Sequence, residues 1–300
     1  MKYFIVYAHP EPNSLNGLLR DRAVITLREA GHSVVVSDLY AMGWKAVADG
    51  LDFPVRDPSV PLNYVEASGE AFRTGTQSSD VAEEQRKLLW ADFVVFQFPL
   101  WWFGMPAILK GWVDRVYAHD FAYGVGVHQG SRWGRRYGEG VLEGRRAMVA
   151  TTAGGRAAHY GPRGVNGLID DLLWPIQHGV FFYPGMTVVP PTVLYEVRGA
   201  TEDEVDEMAR HYVNRLLSMG DVEPIPFRSQ NGGDFDHHQV LMEELAVGAG
   251  GLLVHQREPR YVSNLLVKGA EDFRPIRLTP DSREESVGAP KQLVTNRRQA

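Results

Sequence analysis

Phe96-Gln97-Phe98-Pro99-Leu100-Trp101-Trp102-Phe103-Gly104-Met105-Pro106-Ala107 decides how this chain is read. An apolar run, Phe93-Val94-Val95-Phe96, leads into it, and Pro99 and Gly104 then interrupt the pattern. The stretch therefore reads as a buried strand followed by a rigid turn at the strand's carboxyl end. In open parallel α/β sheets that is the end where ligands sit. The turn carries three aromatic rings, Trp101, Trp102 and Phe103. Rings on a surface turn leave apolar area in water unless something flat covers them, and a planar cofactor such as a flavin would do so. The competing reading is that the rings plug a core or a subunit contact.

Working outward, strand-like runs recur at residues 3–8, 33–37, 93–98, 147–151 and 186–189, with helical patterns between most of them. That alternation is the signature of an α/β, doubly wound, five-stranded parallel sheet with helices on both faces. A first helix is expected to start after Ser14, a good N-cap, to bury Leu15, Leu18, Leu19, Ala23, Leu27 and Ala30, and to stop at Gly31. Further helices are expected over residues 111–117, 168–174 and 202–217, the last with acidic residues at its start and basic ones near its end. Residues 43–79 and the glycine- and arginine-rich 124–146 read as long irregular loops, the kind that wall a site or meet another subunit. The sheet domain is expected over 1–223 and an irregular C-terminal extension over 224–300, with 269–300 polar and loose and the extension a candidate to pack on a partner subunit.

Composition narrows the function. The 300 residues hold 44% hydrophobic and 23% charged side chains, ordinary for a globular protein. A net charge of -6 lacks the basic excess of a nucleic-acid surface and disfavours anionic membranes. Without a single cysteine there are no disulfides, no thiolate catalysis and no cysteine-held metal cluster, so redox chemistry would require a bound organic cofactor. The apolar start is broken by His9-Pro10 and lacks a basic leader, and no run approaches the roughly 20 apolar residues of a membrane span. A cytoplasmic location is the expectation.

Three loops leave the carboxyl ends of the first, third and fourth strands, and in a doubly wound sheet these ends face one crevice. His9-Pro10-Glu11-Pro12-Asn13-Ser14-Leu15-Asn16 enters a helix whose free N–H groups suit an anion, with Ser14 and Asn16 able to add hydrogen bonds. It is neither a Walker loop nor a G-x-G-x-x-G loop. Thr151-Thr152-Ala153-Gly154-Gly155 offers hydroxyls and closely approachable backbone N–H groups to the carbonyl edge of a flavin, where negative charge gathers on reduction. Taken alone, each loop also reads as an ordinary helix cap or glycine turn. His237-His238 beside Asp234 and Asp236 has no supporting metal-ligand spacing and reads as hydrated loop.

Three stretches together resemble the NAD(P)H:quinone oxidoreductase family of the DT-diaphorase type. They are Tyr7-Ala8-His9 with Asn13-Ser14-Leu15-Asn16, the segment from Phe96 to Trp112, and Leu173-Trp174-Pro175-Ile176-Gln177-His178-Gly179. The similarity covers about residues 1–227 and weakens sharply beyond. It implies a flavodoxin-like fold, a homodimer with its sites at the subunit interface, and bound FAD. By the same resemblance His9, Ser14, Leu15 and Asn16 would contact ribose and pyrophosphate. Pro99, Leu100, Trp102 and Phe103 would lie against the isoalloxazine, and Thr151, Thr152, Gly154 and Gly155 would hold its polar edge. Asp114 and Val197 would also reach the cofactor, while Tyr123, Trp102, Phe103 and His159 would line the substrate pocket, Tyr123 as an option from the partner chain. The implied reaction is a ping-pong hydride transfer from NAD(P)H to flavin and from flavin to a quinone.

A tyrosine that stabilises reduced flavin in the family is matched by Tyr160. Its histidine companion is replaced by Asn166, which can donate a hydrogen bond but carries no proton at neutral pH. His159 is the candidate substitute. Val205 stands where the family has an arginine at the adenine end, which keeps FMN open beside FAD. Two alternatives share the same site: reduction of azo or nitro compounds, and a flavin-binding regulatory subunit of a potassium-efflux-type transporter, which some short relatives resemble.

Overall fold

In the computed structural model, residues 1–129, 132–258 and 264–265 are described. The first strand β1 (Lys2–Tyr7) is followed by helix α1 (Leu15–Glu29) and β2 (Ser33–Asp38). Helices α2 (Tyr64–Thr74) and α3 (Ser79–Trp90) precede β3 (Phe93–Pro99), and α4 (Ala107–Val116) follows it. A two-residue hairpin, β4 (His128–Gln129) with β5 (Arg132–Trp133), leads to β6 (Arg146–Thr152). Helix α5 (Ile169–Trp174) runs on as a wide π-type helix over Pro175–Phe182, before β7 (Thr187–Val188), β8 (Thr192–Leu194) and α6 (Glu202–Leu217). A last pair, β9 (Asn264–Leu265), joins the sheet edge.

The sheet order is β2-β1-β3-β6-β8-β9, with β7 also on β6, and all its pairings are parallel. Side-chain alternation explains why the strands read as continuous apolar runs: both faces are covered. Tyr3, Ile5, Tyr7, Phe93 and Val95 pack with Leu19, Ala23 and Leu27 of α1 and Ala209, Tyr212 and Leu216 of α6. Phe4, Val6, Val94, Phe96 and Phe98 pack on the other face with Val81, Leu88, Leu109, Trp112, Ile169 and Phe181. The expected doubly wound architecture is thus present, with the fifth strand in two pieces. Pro190 and Pro191 cannot donate to a ladder, so β7 pairs with the start of β6 and β8 with its end, three residues past the expected strand.

Other expectations shift in detail. α1 begins after Ser14 as expected, with the Ser14 hydroxyl accepting the Gly17 N–H at 3.2 Å, but Ala30 lies exposed. The stretch read as irregular over 43–79 contains α2. Its buried side is Ser68, Gly69 and Ala71, small residues that give no apolar stripe to read. α4 starts four residues earlier than expected, at Ala107, and the chain does not leave the helix at Trp174, because Pro175 takes the first position of the next helical segment, where its missing N–H is not needed.

The extension packs back on its own sheet domain as far as it is described. The Ile225 N–H donates to Val188 O at 2.8 Å, Arg228 N–H to His255 O at 2.8 Å and Arg257 N–H to Pro226 O at 2.8 Å. Phe227 is buried edge-on to Trp174, with ring centres 5.2 Å apart. The segment 269–300, expected to be loose, lies outside the described residues. No helix among the described residues is long and apolar enough to cross a membrane.

Candidate active site

The carboxyl ends of β1, β3 and β6 are adjacent, and the three loops are tied together there. Pro99 is in register with Thr152, and the Leu100 N–H donates to Thr152 O at 2.9 Å. Asn16 Nδ2 donates to Thr152 Oγ1 at 2.8 Å. Gln97, buried within the apolar strand, donates through Nε2 to Asn16 O at 2.7 Å and accepts the Tyr212 hydroxyl at 3.0 Å, so one amide joins β3 to both α1 and α6. Reading the apolar strand alone passed over Gln97; a lone amide inside such a run was the available signal, because a buried amide demands partners.

The first loop is wound tightly around the start of α1. A β-carbon on Gly17 would fall 1.9 Å from Pro12 O, so only glycine permits this approach. His9 is held against the loop, its Nδ1 3.0 Å from both the N–H and the carbonyl of Glu11. The helix has no acidic residue in its first turn to satisfy its positive end. The N–H groups of Leu15 and Asn16 have no acceptor within the helix. Asn16 Oδ1 is buried without a partner, a costly state for an amide unless a ligand group donates to it.

The aromatic turn is a closed four-residue loop: the Trp101 N–H donates to Gly104 O at 3.1 Å and the Gly104 N–H to Trp101 O at 3.0 Å. The turn expected from Pro99 and Gly104 is present, but Gly104 does not supply its left-handed corner. Left-handed backbone falls instead on Trp102 (φ 48°) and Phe103 (φ 62°), residues that rarely adopt it. Trp102 is 96% exposed and Phe103 46%. An apolar pair held out in water on strained backbone marks a surface built to be covered. Trp101 leans toward the first loop, its ring 6.3 Å from that of His9.

In the third loop Thr151 is committed to the scaffold, its hydroxyl donating to Phe98 O at 2.8 Å, while Thr152 keeps its own O–H available. A β-carbon on Gly154 would meet nothing, so this backbone is open to approach. One on Gly155 would sit 3.2 Å from Tyr160 Cε2 and 3.5 Å from its hydroxyl, which places Tyr160 against the loop's backbone. Tyr160 is buried and packs on Tyr195, ring centres 5.5 Å apart. Burial first, and then Asp170 and Tyr160 nearby, push the Tyr195 phenol well above its usual range, so it stays protonated. His159 is exposed, and the Asn166 N–H donates to its carbonyl at 3.0 Å, so the two candidate companions of Tyr160 are neighbours through the backbone. Val197 closes the far side, its N–H donating to Ala153 O at 3.4 Å.

Asp114 and Tyr123 make their contacts elsewhere, Asp114 with Lys110 and Tyr123 with His119. The structure thus gathers residues from 9–16, 99–104 and 151–166 and leaves these two outside that set of contacts.

This is a flavodoxin-like sheet with its candidate site at the carboxyl edge, and the comparisons agree on the fold: the flavodoxin-like fold family matches residues 1–216. Human ribosyldihydronicotinamide dehydrogenase [quinone] is 40% identical over 227 residues, 75% of this chain and 94% of that protein. A crystal structure described as a quinone reductase from Klebsiella pneumoniae shares 53% identity, with a TM-score of 0.83 over 85% of this chain and 99% of that one. General stress protein 14 of Treponema denticola, crystallised with FMN, is 25% identical with a TM-score of 0.51, covering 73% and 99%. The chain belongs to the flavodoxin-like family and, within it, to the group of quinone oxidoreductases that these first two relatives represent.

Proposed function

We propose that this protein is a flavin-dependent quinone reductase that draws a hydride from a reduced nicotinamide, NAD(P)H, and passes two electrons to a quinone, as a cytoplasmic homodimer with FAD as its resident cofactor. The observation that carries the reading is the Trp101–Gly104 turn, which presents two aromatic rings on left-handed backbone beside the unpartnered Asn16 Oδ1 and the open backbone of Gly154. A flat, hydrogen-bonding ligand with an anionic tail fits that combination, and a flavin has all three properties. The bound flavin would supply the hydride-accepting and electron-delivering chemistry.

The chain's residues do the rest. Leu15 and Asn16 would offer helix-end N–H groups to the pyrophosphate, with His9 and Ser14 alongside. Pro99, Leu100, Trp102 and Phe103 would lie on the isoalloxazine and keep water from it. The N–H groups of Gly154 and Gly155 and the Thr152 hydroxyl would face its polar edge, with Thr151 holding that strand in place. Asp114 and Val197 would be its outer contacts. The Tyr160 phenol, wedged against Gly155, would donate to the ring edge where negative charge develops, and His159 or Asn166 would steady that phenol from the next loop. Tyr123 would border the acceptor.

The test is anaerobic. Mixing with NAD(P)H, and separately with dihydronicotinamide riboside, should bleach the flavin within the turnover time, and menadione should restore its colour. Tyr160→Phe should slow the bleaching at least tenfold. Bleaching too slow to support turnover with every donor, or unchanged by Tyr160→Phe, contradicts the assignment.

A further inference from the structure

The turn that carries Tyr123 is built around a histidine that the site above does not use. His119 stands between two glycines from different parts of the chain. A β-carbon on Gly69 of α2 would lie 2.8 Å from His119 Nδ1, and one on Gly124 would lie 2.2 Å from Nε2. Only residues without side chains leave room for this ring, so the slot is shaped to the imidazole. Its Nδ1 is 3.1 Å from Asp120 Oδ1, and Arg73 of α2 pairs with the other carboxylate oxygen. Asp120 itself has left-handed backbone, φ 66°, a conformation that Asp tolerates better than most residues with a side chain. From there its N–H donates to Tyr123 O at 2.7 Å, while the His119 N–H donates to Ser68 Oγ of α2 at 3.2 Å. The His119 and Tyr123 rings meet edge to face, centres 5.2 Å apart and planes at 85°. Next in the turn, Phe121 is anchored in the core against Phe72 of α2.

Each contact runs from α2, through His119 and Asp120, to Tyr123. A loop that only needed to turn would be satisfied by the Asp120–Tyr123 hydrogen bond; the glycine slot and the perpendicular ring contact fix the tyrosine ring as well as its backbone. From this we infer that His119 is a positioning residue, locked by Asp120 and Arg73, that sets the orientation of the Tyr123 ring at the electron-acceptor pocket and so tunes affinity for the aromatic acceptor. This inference rests on the proposed bordering role of Tyr123.

The experiment separates the two half-reactions. In the flavin-loaded protein, His119→Ala should raise the KM for menadione about tenfold, while the rate of flavin bleaching by NAD(P)H stays within about twofold of the parent. His119→Asn, which keeps a donor toward Asp120, should recover part of that loss. Gly69→Ala pushes on the imidazole and should raise the same KM, while the better helix preference of alanine in α2 offsets part of the packing cost. In the Tyr123→Ala background, His119→Ala should add nothing further. The inference is overturned if the two substitutions multiply, if His119→Ala slows both half-reactions equally, or if it changes neither. A Tyr123→Ala protein with parental acceptor KM overturns the role of Tyr123 and this inference with it, whereas failure of the parent to be bleached at all refutes the reductase reading itself.

Discussion

Replacing Trp102-Phe103 with Asn-Gly should make the flavin-free protein more stable and its flavin weaker. Asn and Gly are the residues that a two-residue turn with positive φ at both positions prefers. Both native residues are L-aromatics in left-handed backbone, and that conformation costs roughly 1–2 kcal/mol per residue. Little burial is lost on replacement, because Trp102 is almost fully exposed and Phe103 about half. The new glycine returns about 0.5–1 kcal/mol through the greater freedom of the unfolded chain. The balance is a gain of about 1–3.5 kcal/mol, which for a domain of this size is a rise in Tm of roughly 2–14 °C. Losing two stacking rings should weaken flavin binding by roughly 10–100-fold, or about 1.4–2.8 kcal/mol. Calorimetry of flavin-free protein and fluorescence titration with flavin read the two effects. A double variant that melts no higher than its parent, or that binds flavin with the parental Kd, refutes the view that this strain is held for the cofactor.

Three further outcomes follow from the same geometry. Gly155→Ala pushes a β-carbon into the Tyr160 ring and should slow flavin bleaching roughly tenfold while the flavin stays bound, read by stopped-flow absorbance. Gln97→Leu strands the Tyr212 hydroxyl and Asn16 carbonyl without their buried partner and should lower stability by roughly 2–4 kcal/mol in urea unfolding. His178 stacks between Tyr137 and Trp174, and its imidazole is pushed down to about 4 by burial first and by His255 second. The unfolded chain therefore binds this proton more readily than the folded one. Its contribution is fully present above pH 6.5 and is lost as pH falls toward 4, about 3 kcal/mol in all, and His178→Phe should flatten that acid slope.

The sheet was legible because its two covered faces write uninterrupted apolar runs, and residues 3–8, 33–37, 93–98 and 147–151 stand out for that reason. Prolines at 190 and 191 obscured the fifth strand, since they divide a ladder that the apolar pattern alone shows as ending at 189. Helix α2 was hidden because it packs through Ser68, Gly69 and Ala71, where close approach replaces apolar volume. At the site, the residue types of the three loops signalled a ligand edge. What joins them did not show: the bond from Asn16 to Thr152 and the hub at Gln97 depend on register between strands far apart in the chain. Pro99 and Gly104 marked a turn, yet the positive φ angles fell on the aromatics, because the ring-presenting residues occupy the corner and the glycine only closes it.

The central claim is that three strand-end loops form a flavin cradle. Its most direct test is to identify by mass what heat releases from the purified, reconstituted protein. The account predicts FAD, one per chain, accompanied by loss of the yellow absorbance. A correctly folded protein that stays colourless after incubation with FAD and with FMN, and releases neither, contradicts it.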